Sequence, residues 1–300
     1  MLRALLVLIL GSLFVSGLIS PSIYSLIKYL FPEITWPYSR VFDRILMVVI
    51  FIFLLILKKD FSIKEAVEKF RVRSKKGALK DFLKAFSISL FVSIILMFFL
   101  DLEGKFVWGF KDFNYYLAKI IKVIFTAIII SILEEGFFRV ILLNSFKRRV
   151  GIFWAMFFSS LCYSCAHFIV PAKAYKYSKL SLTVGFEYYI EVLKTMFFPD
   201  ILFAFIGLFL LGFVLCLIMQ RFSSIYINIG LHSGWVMAMK LFIFSIAEAP
   251  NVAISTMERR YFLVSQGLGW LSVILVFAIS YIVFSKSSGS FEDDDARLIG

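Results

Sequence analysis

Between Lys122 and Lys147 the chain is almost wholly apolar, yet it carries two adjacent carboxylates and one guanidinium: Glu134, Glu135 and Arg139. Charge at membrane depth costs roughly 2.5–3.5 kcal/mol per residue, so it persists where it has a partner or a task. Residues four apart on a helix share a face, which pairs Glu135 with Arg139. Glu134 is rotated by about 100° from its neighbour and has no cation three or four residues away. One acid therefore reads as structurally paired and the other as available for proton transfer.

The two histidines of the chain, His167 and His232, also fall inside apolar runs. Helical rise puts Glu134 about 20 Å from its basic helix end, His167 about 24 Å from Gly151 and His232 about 15 Å from Arg221. An acid and two imidazoles from three spans can thus meet near the bilayer centre, around water, as general acid–base hydrolysis requires. Tyr163 lies one turn before His167 and could orient it. Asn228 lies one turn before His232, and Ser233 is adjacent to it. Gly230 and Gly234 flank His232 and allow a neighbouring backbone to approach closely.

One Glu with two His is also a familiar zinc set, with Glu134, His167 and His232 as ligands. The chain has no H-E-x-x-H motif, so the reading is catalysis without a cofactor, with zinc as the alternative. Cys162, Cys165 and Cys216 all sit in apolar runs, and no disulfide framework is expected.

The elements that must position these groups follow from composition. Hydrophobic residues make up 61% of the chain and mean hydropathy is +0.92, which excludes an ordinary soluble domain and indicates an all-α polytopic membrane bundle. The net charge of +12 is concentrated in loops beside apolar runs, the positive-inside pattern, so no nucleic-acid partner is implied. Eight spans are expected: residues 4–30, 45–57, 82–100, 116–146, 153–170, 201–219, 225–246 and 268–284. Residues 58–80 hold nine Lys or Arg, which places this loop and both termini in the cytoplasm. Within it, Ser62 and Glu65 form a capping box opening a short amphipathic helix that rests on anionic headgroups. Residues 171–200 form an outer segment with a helix on which Glu187, Glu191 and Lys194 share a face. The acidic tail, 285–300, reads as disordered. The organisation is therefore 1–117 N-terminal spans, 118–246 catalytic core, 247–284 last loop and span, and 285–300 tail.

Over about residues 118–246 the chain resembles the CPBP family, the CAAX proteases and bacteriocin-processing (Abi) membrane proteins, and is similar to CAAX prenyl protease type 2. The family's Glu-Glu-x-x-x-Arg matches Glu134 to Arg139, including the aromatic before the Arg. Its Phe-x-x-x-His resembles Tyr163 to His167, with Tyr for Phe. Its His-x-x-x-Asn is similar to His232 to Val236, with Val in place of Asn. The resemblance implies an intramembrane glutamate-type endopeptidase with Glu134, Glu135, Arg139, His167 and His232 as its catalytic set. Glu134 would activate water, His167 would help to position it, and His232 would stabilise the oxyanion. Asn228, Ser233 or Tyr163 would supply support that Val236 cannot.

Two other readings use the same residues. A non-proteolytic member, a bacteriocin immunity factor or scaffold, is favoured by Val236. A proton-coupled transporter would use Glu134 and the histidines as a relay, but the chain shows no internal repeat. For the protease, the expected substrate is a membrane-anchored or lipid-modified protein or peptide, and the expected location is a bacterial or archaeal cytoplasmic membrane. Oligomeric state does not follow from the sequence.

Overall fold

The structure is a computed structural model and describes residues 2–61, 75–100, 104–168, 175, 177, 180–196, 200–252, 254 and 256–297. The amphipathic helix expected over 62–70 lies outside the described residues. Among those described, the chain is helical apart from one pair of short strands, as an apolar chain that must satisfy its backbone within lipid should be.

Among the described residues, five stretches are long and apolar enough to cross a membrane: Arg3–Leu30, Phe113–Phe168, Leu202–Phe222, Ile225–Ser245 and Gly267–Ser285. The second of these holds two of the eight expected spans. The expected second and third spans fall on Tyr38–Ile56 and Lys75–Met97. Their first halves carry Arg40, Asp43 and Arg44, and Lys80, Asp81 and Lys84, which leaves only short apolar remainders.

The chain divides into two compact units, residues 1–65 with 165–199, and residues 66–164 with 200–300. The first is built on Ser12–Leu30, Tyr38–Ile56 and Val184–Met196. Val184, Tyr188 and Val192 recur every four residues, so they form one stripe. It packs into a core with Tyr24, Tyr38, Phe42 and Val49. Ser20 and Tyr38 join their hydroxyls at 2.8 Å within this core. A side chain at Gly185 would overlap the Gly17 carbonyl oxygen, so the two helices meet backbone to backbone. On the exposed face Lys194 pairs with Glu191 at 2.6 Å, as their spacing requires.

The second unit is arranged about the helix Ile225–Ser245, in which every residue from Ile227 to Trp235 is buried. A helix apolar all round must be covered all round. Its glycines provide one contact: side chains at Gly230 and Gly234 would overlap the carbonyl oxygens of Phe82 and Phe86 on Lys75–Met97. Elsewhere Met237 packs with Val123 and Ala127 of the helix Phe113–Glu135. Trp235 donates its indole N–H to Ser272 Oγ on the last helix, Gly267–Arg297, at 3.2 Å.

The helix Phe113–Glu135 starts on an Asp112 cap that accepts from the Tyr115 N–H at 2.8 Å. It runs into a π-helical segment, Gly136–Leu143, and then into Asn144–Phe168. Gly151 interrupts the latter at φ 78° and ψ 174°, a conformation suited to glycine. The break follows Lys147, Arg148 and Arg149, where the fourth span was expected to end. One feature was not foreseen. Phe106–Trp108, a short stretch between two expected spans, pairs antiparallel with Ile246–Glu248, directly after the His232 helix.

Candidate active site

Glu135 is the last residue of its α-helix, and Arg139 lies four residues on in the π-helical segment. Both are fully buried, with Arg139 Nε 3.2 Å from Glu135 Oε2. A buried charge is strongly destabilising unless it is paired and hydrogen-bonded, and Glu135 has further partners. Asn228 Nδ2 donates to Oε2 at 3.1 Å, and His232 Nδ1 lies 2.8 Å from Oε1. The Arg139 guanidinium lies over the Tyr163 ring, 4.8 Å from its centroid, an attractive geometry between a cation and a π face. The pairing expected from the four-residue spacing is present, and it is reinforced from the helix Ile225–Ser245.

Glu134 occupies a different environment. Its side chain is 25% exposed, and its Oε2 lies 3.6 Å from His232 Nε2. The Tyr163 hydroxyl lies 3.4 Å from the same nitrogen. One imidazole therefore has Glu135 on Nδ1, with Glu134 and Tyr163 beside Nε2. Its burial leaves it 2% exposed.

The remaining expected residues are placed as follows. Asn228 uses its amide twice, on Glu135 and on the Leu215 carbonyl at 2.8 Å. Ser233 turns back along its own helix and donates to Ile229 O at 2.6 Å. Val236 packs against the apolar cluster of Val123, Ala127 and Met237. His167 is half-buried in the final turn of Asn144–Phe168 and belongs to the first unit. Within the second unit the structure thus joins Glu134, Glu135, Arg139, Tyr163, Asn228 and His232.

Two contacts were not foreseen from spacing. Tyr163 was aligned with His167 on its own helix, whereas its hydroxyl reaches the imbedded ring of His232 on another. The Leu215 carbonyl that anchors Asn228 has no residue-type signature, although an amide in an apolar span does call for a partner. For zinc, no group of three or more His, Cys, Asp and Glu among the described residues could hold a metal ion. Of the three expected ligands, Glu134 and His232 are neighbours in the second unit.

The fold and this cluster define an integral membrane protein with a carboxylate–imidazole–guanidinium site inside a helical bundle. Residues 116–238 match the family described as Type II CAAX prenyl endopeptidase Rce1-like. The match bears out the resemblance drawn from the three motifs, and over this stretch the chain is similar to a family of CAAX-type proteases. Comparison with curated proteins and with solved structures gives no match.

Proposed function

We propose that this protein is an intramembrane endopeptidase that hydrolyses a peptide bond near the terminus of a membrane-associated protein or peptide. The observation that carries this reading is the inequality of two adjacent acids. Glu135 is enclosed by Arg139, Asn228 and His232, while Glu134 is 25% exposed beside His232 Nε2. In the proposed reaction Glu134 takes a proton from water as the water oxygen adds to the peptide carbonyl carbon. The carbonyl π electrons move to oxygen. As the C–N bond breaks, Glu134 returns the proton to the departing nitrogen, giving a carboxylic acid and an amine. His232 assists this transfer.

Both amide hydrogens of Asn228 are engaged, and the Ser233 hydroxyl is bonded to its own helix. We therefore assign Asn228 to holding Glu135, and Ser233 to its helix, and leave Tyr163 as the hydroxyl nearest the working groups. The substrate class is a membrane-anchored or lipid-modified chain, and the termini of the protease face the cytoplasm. A second reading, a non-proteolytic immunity factor or scaffold, is favoured by Val236, an apolar residue packed among apolar neighbours where the motif carries an amide. Comparing membrane proteomes of cells with the wild-type protein and with Glu134→Ala separates the two. Unprocessed termini accumulating in the variant support proteolysis. Identical termini, with cells still protected, support the second reading.

A further inference from the structure

We infer that Glu135 is a positioning residue that accepts a hydrogen bond from the His232 Nδ1–H and so keeps Nε2 turned toward Glu134. The argument begins with the donors around one carboxylate. The guanidinium of Arg139 lies 3.2 Å from Oε2, and the Asn228 amide donates to the same oxygen at 3.1 Å. A guanidinium has no acceptor, and the Asn228 nitrogen can only donate. A carboxyl group held by these two partners is ionised and acts as an acceptor. The third partner, His232 Nδ1 at 2.8 Å from Oε1, must then be the donor.

With Nδ1 held by Glu135, the other ring nitrogen is left to face the working groups. That nitrogen is Nε2, with Glu134 Oε2 at 3.6 Å and the Tyr163 hydroxyl at 3.4 Å. The second acid of the tandem pair thus does for His232 what a buried carboxylate does for the imidazole of a Ser–His–Asp triad. The guanidinium and Asn228 in turn hold that acid from its other oxygen. Only the kinetic part of this inference rests on the proteolytic reading above.

The test is spectroscopic first. Full-length protein labelled with 15N histidine is placed in lipid nanodiscs, and His167→Gln assigns the signals of the two rings. Two-bond 15N–1H couplings then report which nitrogen of His232 carries the proton. The expected result is protonation on Nδ1 in the wild type, with the proton moving to Nε2 in Glu135→Gln. Cleavage in that variant should fall on the order of a thousand- to ten-thousandfold, as for loss of the orienting acid of a triad. A wild-type spectrum with no proton on Nδ1 overturns the inference, as does a folded Glu135→Gln protein that keeps its proton on Nδ1. If that variant does not fold, the wild-type spectrum decides alone. Protonation on Nδ1 without any peptide cleavage overturns the proteolytic reading and leaves the inference standing. Cleavage with no proton on Nδ1 does the reverse.

Discussion

His232 Nδ1 lies 2.8 Å from Glu135 Oε1, so one buried contact joins the helix that supplies the imidazole to the helix that supplies both acids. Around that contact the two acids divide their work, and the division can be tested one side chain at a time.

Glu134→Gln keeps the size of the side chain and removes the base. Peptide cleavage is expected to fall by about a hundred- to ten-thousandfold, the usual contribution of such a group. The thermal midpoint in detergent should hardly move, because Glu134 is partly exposed. Mass spectrometry of substrate termini, alongside a melting curve, reads both quantities. Retained cleavage removes Glu134 as the base.

Arg139→Met should do the opposite, acting on stability before chemistry. It leaves the fully buried Glu135 without its cation, a loss of about 3–5 kcal/mol for a broken buried pair. Adding Glu135→Gln should recover part of that loss. Denaturant titration of the two variants tests this, and a stable single variant would contradict it.

Gly234→Leu addresses the frame. A side chain at this position meets the Phe86 carbonyl and the Ser89 hydroxyl on Lys75–Met97. Overpacking of this kind costs about 1–3 kcal/mol or more, and it should displace His232 with its helix. Both stability and turnover should drop. An unchanged turnover would show that the close crossing does not position the imidazole.

Chelator treatment is expected to leave cleavage intact, because the chain carries no H-E-x-x-H motif. Assay of protein dialysed against chelator, with metal content determined in parallel, checks this. Stoichiometric zinc whose removal stops cleavage would reverse the expectation.

Val236→Asn restores the amide of the third motif. If Val236 limits oxyanion stabilisation, turnover should rise by about ten- to a hundredfold, part of what one such donor contributes. Stability should decline modestly, since Val236 packs among apolar neighbours. Single-turnover kinetics on the purified variant would detect the gain, and a flat result places the donor elsewhere.

Much of this arrangement was legible from local spacing. The Glu135–Arg139 pair, the interruption at Gly151 and the close approach at Gly230 and Gly234 all depend on neighbours along one helix or on glycine itself. Contacts between helices were less accessible. Tyr163 shares a helical face with His167, but spacing on one helix does not say which other helix crosses it, and His232 does. The sheet pairing of Phe106–Trp108 was hidden because three aromatic-rich residues carry too little alternation to signal a strand. Six of the eight expected spans fall within stretches that are long and apolar enough to cross a membrane among the described residues, and those at 45–57 and 82–100 fall short of that measure because the first halves of their helices carry charge.

The helix that carries His232 is seated on Lys75–Met97 and tied through Trp235 to Gly267–Arg297, and both of these lie beyond residues 116–238. The portion of chain that bears the family pattern is therefore not a self-sufficient body. Excised, or grafted alone into another membrane protein, it would bring every motif residue and lose the scaffolding that aims one of them. Kinship is written in the middle of this molecule, and the rigidity its chemistry relies on is borrowed from the flanks.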